Sequence, residues 1–489
     1  MDTGSDFGSG SDFGGVFASS SLGPEGGSEW EATGATATIW RGDRPVYNRG
    51  EAVCVIGAGA SGLAALKNLR ERGFAVDCYE RETSVGGAWN WRQARSPIYG
   101  SVHLISSKAG TQYPDFPMPD DWPDYPHHTK VLTYLERYAE HFGLREHVWF
   151  GTEVVRVEPA LEPAEGYWDV TTRVGHKERT SRYAAVVVAN GHLWSPKIPH
   201  YDGQADYRGQ VVHASAYKDA AQLRGRRILV VGGGNTGCDI AVEAAQQANK
   251  CWHSTRRGYW YTPKYLLGRP TDQVNDLFAM LRLPLRMRQW LGQRELRRTV
   301  GDLTRFGLPK PDHKLYETHP ILNSQLVYHI GHGDIEPVPD VARFDRGSVV
   351  LTDDREIEPD LVIMATGYLP RFEFLAPDLV NADTNGRPRL HLHAFSRRHP
   401  TLFLVGLAQP DSGLFPIAHW QSVAIAKWLR LRGNDPARAA TFWTSIASTS
   451  DQRWTQAKTA DSTRHWFELD HTLYLKALQR VLDELESVR

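Results

Sequence analysis

Only four cysteines occur in 489 residues, Cys54, Cys78, Cys238 and Cys251, and no two form a Cys-x-x-Cys pair. That spacing excludes a dithiol redox centre and a disulfide-stapled scaffold, and it predicts buried thiols in a reducing, cytoplasmic setting. No apolar run approaches the roughly 20 residues that cross a bilayer, so no transmembrane segment is expected. The first residues also lack the basic-then-apolar order of a secretory signal. Neither sign of charge dominates, with 56 Lys and Arg against 57 Asp and Glu and no long block of one kind. Bulk electrostatics therefore give no footprint for nucleic acid. His127-His128 has no partners at metal-ligand spacing, so it reads as a polar loop and no metal site is expected.

What the chain does have is one pattern written twice. Val53-Cys54-Val55-Ile56 runs into Gly57-Ala58-Gly59-Ala60-Ser61-Gly62, and the next apolar run, Phe74 to Tyr79, ends on Glu80. Ile228-Leu229-Val230-Val231 runs into Gly232-Gly233-Gly234-Asn235-Thr236-Gly237, and its following run ends on Ser254-Thr255-Arg256-Arg257. Each reads as strand, glycine turn, helix, strand. The first glycine makes the turn, the second lets a pyrophosphate approach and the third lets helix and strand pack closely. A single such turn is weak support. Two copies with a discriminating residue at matching distance are strong. Glu80 is a carboxylate suited to ribose hydroxyls, whereas Arg256 and, less firmly, Arg257 suit a 2′-phosphate. The expectation is two Rossmann-like dinucleotide-binding domains in an α/β fold, one for an unphosphorylated dinucleotide and one for NADPH.

The rest of the chain sorts around these units. Residues 1–45 are Gly- and Ser-rich, repeat Gly-Ser-Asp-Phe-Gly, and read as a disordered extension. A first flavin-type domain is expected over 46–212, the NADPH domain over 213–368 and the second part of the flavin domain over 369–489. The second unit thus interrupts a discontinuous first domain. Thr129 to Phe142 has the period of an amphipathic helix; Val148 to Val157, Tyr167 to Val174 and Ala184 to Ala189 read as strands. An Arg-rich helical insertion, about 262–330, carries Arg282, Arg286, Arg288, Arg294, Arg297, Arg298 and Arg305. A solvated helical face is favoured there over a membrane or anionic-ligand surface.

Taken together, the motifs resemble those of the flavin-containing monooxygenases, over nearly everything after residue 50. Arg81 to Trp89, with Gly86-Gly87-Ala88, resembles that family's second FAD segment. Asp115-Phe116-Pro117 resembles its Pro-Asp-Phe-Pro signature. Tyr207 to Lys218 resembles its identifying F-x-G-x-x-x-H-x-x-x-Y sequence, with Tyr207 in place of Phe. Ala365-Thr366-Gly367-Tyr368 matches the A-T-G-Y element, and Gln409 and Gln421 resemble the segment that passes over the flavin ring. The resemblance implies an enzyme that uses FAD, NADPH and O₂. It would form a C4a-hydroperoxyflavin and oxygenate a nitrogen or sulfur of a small organic substrate, with NADP⁺ retained to keep water out. A homodimer is the oligomer the sequence leaves to test.

The resemblance also sets the candidate residues. Cofactor binding falls to Gly57, Gly59, Ala60, Ser61, Gly62, Glu80, Arg81, Gly87, Ala88 and Trp89 at the first unit. At the second it falls to Gly232, Gly234, Asn235, Thr236, Gly237, Ser254, Arg256 and Arg257, joined by Thr366, Gly367, Gln409 and Gln421. Asn235, His213 and Ser106 are the catalytic candidates. Two of them have a plainer reading: an αL-tolerant turn residue for Asn235, and a linker hydrogen bond for His213. One departure stands out. In Gly100 to Lys108 the family usually carries Asn where this chain has Ile105, a side chain that cannot donate a hydrogen bond. Two alternatives follow, a largely uncoupled NADPH oxidase or redox sensor, and Baeyer–Villiger oxygenation of ketones. Against the latter, Tyr217 stands where that type usually has Trp.

Overall fold

The computed structural model describes residues 37–41, 44–161, 166–280, 283–318, 321–384, 386–448, 454 and 466–486. Two parallel sheets organise the chain. In the seven-stranded sheet the order is Leu390–His391, Phe395–Ser396, Leu402–Leu404, Ala185–Val188, Val53–Ile56, Val76–Tyr79, Val148–Trp149. The last five strands run parallel, and the first two add antiparallel at one edge. In the five-stranded sheet the order is Gln210–His213, Leu361–Met364, Arg227–Val231, Lys250–Ser254, Ile335–Val338, all parallel. Strands of the first sheet thus come from both sides, in sequence, of those that build the second. Each central strand, Val53–Ile56 and Arg227–Val231, has sequence-distant neighbours on one side and its own βαβ partner on the other. That arrangement opens a crevice at the strands' carboxyl ends, where ligands bind in open α/β sheets.

Parallel strands covered by helices are apolar along their whole length. Val53, Cys54, Val55 and Ile56 are all buried, as are Leu361, Val362, Ile363 and Met364. Helix Ala60–Arg70 covers the first sheet through Leu63, Leu66 and Leu69, and it packs against the long helix Phe415–Asn434 in the same core. All four cysteines are buried thiols. Burial pushes the Cys54 and Cys78 thiols far above their ordinary range, which makes them inert.

A third, mixed sheet of five strands leans on the first through a buried polar knot. Asp77 accepts from Arg49 Nε at 2.7 Å, Arg49 Nη2 at 2.9 Å and the Tyr183 hydroxyl at 2.8 Å. Arg182 pairs bidentately with Asp169 at 2.7 and 3.0 Å. Fork-to-carboxylate geometry satisfies charges that burial would otherwise penalise.

Two expectations need correction. Residues 1–36 lie outside the described residues, so that part of the expectation falls there; Ala37–Arg41 and Arg44–Asn48 pair antiparallel as strands of the third sheet, against the disorder expected up to residue 45. Residues 44–48 also pair with Lys177–Tyr183, a long-range ladder invisible to composition. The run from Val148 to Val157 is two strands in two sheets, Val148–Trp149 and Glu153–Pro159, separated at Gly151 with φ of +64°.

Candidate functional site

Both glycine turns obey the same steric rule. Gly57 has φ of +102° and Gly232 +128°, a region L side chains rarely adopt. A Cβ on Gly57 would sit 2.7 Å from the Ala189 carbonyl oxygen, and one on Gly232 would fall on that of Ala365. The third glycines act inside the turn: Cβ atoms on Gly62 and Gly237 would overlap the carbonyl oxygens of Gly57 and Gly232. Gly59 differs. Its Cβ would meet nothing nearer than Gly87 Cα at 3.4 Å, while one on Gly87 would lie 2.8 Å from Gly59 Cα. The two loops therefore touch glycine to glycine and leave their outer side open.

That side is one wall of a cavity of about 430 Å³. Of the first-unit candidates, Gly57, Gly59, Ala60, Ser61, Glu80, Arg81, Gly87, Ala88 and Trp89 line it; Gly62 does not, being buried in the helix–strand contact. Glu80, 6 % exposed, is gripped by two backbone donors, Ala58 N–H at 2.7 Å and Glu82 N–H at 3.0 Å. Burial raises its pKa, and those two donors oppose the rise. A carboxylate has room for further donors beyond these two. Sequence reasoning missed Arg95, Asn190, Glu373, Phe374 and Gly406, which also line the cavity. Asn190 had a findable signal, since it follows Ala185–Val188, the strand beside Val53–Ile56. Gly406, at φ of +79°, packs against Ser61 where a Cβ would overlap the hydroxyl.

At the second unit the candidates are engaged mainly with protein. Asn235 opens helix Asn235–Gln247, and its Oδ1 accepts from Leu322 N–H at 2.9 Å. The Ser254 hydroxyl donates to the Pro339 carbonyl at 2.7 Å. Arg256 is exposed at its strand end, and the Arg257 guanidinium stacks on Tyr259 at 5.5 Å. Thr236 lies near Tyr99, whose hydroxyl donates to Asp239 at 3.1 Å. Asn323 Nδ2 also donates to Asp239, at 2.8 Å. Burial pushes the Asp239 carboxyl up to about 6, against the pull of Lys264 and these two donors.

His213 joins elements and has no spare nitrogen. Its Nδ1 accepts from Ser215 N–H at 3.1 Å, and its Nε2 lies 3.0 Å from the Gly367 carbonyl oxygen. An N–H only donates and a carbonyl only accepts, so these partners assign the neutral Nε2–H tautomer. Burial lowers its pKa, in agreement. The Thr366 hydroxyl donates to the Lys197 carbonyl at 2.5 Å, and the Gly367 carbonyl accepts from Lys197 N–H at 2.9 Å. Ser106 Oγ is hydrogen-bonded to Thr111 Oγ1 at 2.7 Å. Gln421 is fully buried: its Oε1 accepts from Gly406 N–H at 3.0 Å and its Nε2 reaches the Tyr474 hydroxyl at 2.6 Å. Gln409 pairs as a strand residue with Glu468. Neither glutamine lines the cavity. Trp91 is 43 % exposed, and His128 begins helix His128–His141 rather than sitting in a loop.

Two Rossmann-like units, one carrying a large cavity at its glycine turn, define a dinucleotide-dependent oxidoreductase of α/β class. The flavin-binding monooxygenase-like family model matches residues 50–485, and the chain belongs to that family. It is 34 % identical over 391 residues to dimethylaniline monooxygenase (N-oxide-forming) 2 of Oryctolagus cuniculus, covering 77 % of this chain and 72 % of that one. Flavin-containing monooxygenase 1 of Homo sapiens is 33 % identical over the same shares. Among solved structures, S-allyl-L-cysteine S-oxygenase from Allium sativum superposes with a TM-score of 0.60 at 20 % identity, over 88 % of both chains. A cyclohexanone monooxygenase bound to epsilon-caprolactone gives 0.64 at 20 % identity, over 88 % of this chain and 98 % of that one. These two share the fold. The protein is therefore a flavin-dependent monooxygenase by family, and among the described residues no helix is long and apolar enough to cross a membrane.

Proposed function

We propose that the protein binds FAD at the first glycine turn and NADPH at the second, and uses O₂ to oxygenate a nucleophilic nitrogen or sulfur of a small organic substrate. The observation that carries this is the pairing of two like turns with opposite strand-end chemistry, a buried carboxylate at Glu80 and an exposed guanidinium at Arg256. FAD, reduced by NADPH, supplies the oxygen-activating chemistry. The chain's part is to bind, orient and exclude water. Gly59 fits a pyrophosphate because a Cβ there would meet no protein atom nearer than 3.4 Å, so backbone can approach a ligand. Gly57 and Gly87 are needed as glycine by the turn and the loop contact beside it. Glu80 fits a ribose diol, and Arg256 fits a 2′-phosphate.

The curated relatives named as N-oxide-forming support the nitrogen branch, and the Allium enzyme is named for sulfur. Ile105 favours a second reading, a largely uncoupled NADPH oxidase, because its side chain offers no donor and neighbouring Ser106 is already engaged with Thr111. One experiment separates the readings: the FAD-loaded protein turning over NADPH with a tertiary amine, a thioether or a ketone. N- or S-oxide equal to the NADPH consumed supports the proposal. Ester from the ketone alone, or hydrogen peroxide equal to NADPH with every substrate, refutes it.

A further inference from the structure

Helix Leu285–Thr299, in the insertion of the second unit, is fixed in rotation by its inner face. Arg288, Gln289 and Leu296 are buried there. Gln289 Nε2 donates to the Leu315 carbonyl at 3.0 Å, and the Arg288 guanidinium lies 5.3 Å from the Tyr316 ring and 3.8 Å from Asp470. With 3.6 residues per turn, the opposite side carries Arg286, Met287, Trp290, Arg294, Arg297 and Arg298, and all six are exposed. Met287 is 47 % exposed and Trp290 57 %, and the Arg294 guanidinium lies 5.3 Å over the Trp290 ring. The helix's one carboxylate, Glu295, is on its flank, within reach of the Thr299 hydroxyl at 3.5 Å. Among the described residues, no ion pair engages the four outward arginines.

We propose that this face docks on an anionic lipid surface. Trp290 and Met287 would sit at the boundary of headgroups and acyl chains, and the four guanidiniums would meet lipid phosphate and carboxylate groups. Three features favour this occupant. A solvated face gains nothing from an exposed tryptophan and methionine beside arginines. A second copy of the same face would bring like charges together with no carboxylate between them. The whole chain has net charge −1, so attraction to an anionic bilayer must come from a local cationic face such as this one. The solvated face expected from the sequence is the plainer alternative that the test must exclude; four of the helix's five arginines lie on its outer side, and Arg288 lies on the inner one.

The test is sedimentation of the full-length, FAD-loaded protein with vesicles of phosphatidylcholine containing phosphatidylserine, and with phosphatidylcholine alone. Binding is expected only to the former and is weakened by salt. Arg294→Gln with Arg298→Gln is expected to lower the partition coefficient about 30-fold, from a loss of roughly fivefold for each cation near the surface. Met287→Ala with Trp290→Ala is expected to lower it with the salt dependence kept. Both variants should retain flavin and turnover, which shows that the fold is intact. Absent binding to either vesicle, equal binding to both, unchanged binding in both variants, or tighter binding to single-stranded nucleic acid than to the vesicles would overturn the proposal.

Discussion

Gly57 and Gly232 stand at φ of +102° and +128°, and the third glycine of each turn is pressed on the carbonyl of the first. Around this shared frame the two units diverge. The first turn opens on a cavity of about 430 Å³, and its strand-end residue, Glu80, is buried and braces the turn itself. At the second turn, a Cβ on Gly233 would lie 2.5 Å from the Tyr259 ring, Asn235 and Ser254 are spent on Leu322 and Pro339, and Arg256 is exposed. A turn whose polar groups are already committed to protein is rigid without a ligand. A glycine pair facing open space has its outer side free for one. The difference fits a cofactor retained through turnover at the first unit and a co-substrate that comes and goes at the second.

The sharpest break in that comparison lies within the first turn. Gly62→Ala forces a methyl onto the Gly57 carbonyl, and Gly237→Ala does the same to Gly232. Each is expected to cost about 4 kcal/mol or more, because backbone cannot yield as a side chain can. Thermal melts should show both largely unfolded. Gly59→Ala is expected to melt near the parent, since its methyl meets only Gly87 Cα at 3.4 Å. It should nevertheless lose FAD affinity on the order of 100-fold, the methyl taking the pyrophosphate's space. Reconstitution titrations at the flavin absorbance give the number. A stoichiometrically yellow Gly59→Ala protein would remove the first site from the pyrophosphate's path.

Arg256→Ala tests the other side of the contrast. A charge-assisted hydrogen bond to phosphate contributes about 1.5–3 kcal/mol, so NADPH affinity should fall about 10- to 100-fold. NADH affinity should stay as it is, and melting should not move for an exposed residue. Equal losses for both nucleotides would assign Arg256 a structural part in place of a 2′-phosphate contact.

Asp239 joins the units through Tyr99 and is the titrating group of that contact. Its carboxyl is raised from 3.8 to about 6, first by burial, so the folded state holds the proton more tightly than the unfolded chain. Stability then falls as pH rises from about 4 to about 6 and stays lower above, by on the order of 2–3 kcal/mol. Asp239→Asn should remove that fall and leave a flatter melting profile over this window. An unchanged profile would mean that another group governs it.

The glycine turns were legible because their constraint is local: five or six consecutive residues decide whether the backbone can turn and the helix can close. Glu80 was legible for the same reason, at a fixed distance along a βαβ unit. What sequence did not show depends on distant partners. Gln421 reads as a flavin-side residue until Gly406 N–H and Tyr474 are seen to use both ends of its amide. His213 carries a chemistry-bearing ring, yet Ser215 and Gly367 occupy both nitrogens. The break at Gly151 was in principle readable, since a glycine interrupts the apolar alternation there. The strands at Ala37–Arg41 and Arg44–Asn48 were not, since their ladder is completed by residues more than a hundred positions away.

Ile105 gives the smallest and most diagnostic effect. Its segment is pinned on both sides: Leu104 N–H donates to the Pro126 carbonyl at 3.0 Å, and the Leu104 carbonyl lies 3.5 Å from Lys264 Nζ. Ser107 N–H and Oγ both reach Asp272, at 2.7 and 2.8 Å. The backbone therefore presents residue 105 from a fixed frame, and a side chain there changes chemistry more than shape. Removing a preorganised donor from an active site costs on the order of 100-fold or more in rate. Installing one by Ile105→Asn recovers less, because nothing around it was shaped to hold the amide, so a fall of about threefold in hydrogen peroxide released per NADPH is expected. Peroxide and oxygenated product are quantified together on one sample. If peroxide drops while product rises, the missing donor limits coupling in the parent enzyme. If neither moves and the variant keeps its flavin, a group on another element already serves that place, and the uncoupled-oxidase reading loses the one residue that favours it.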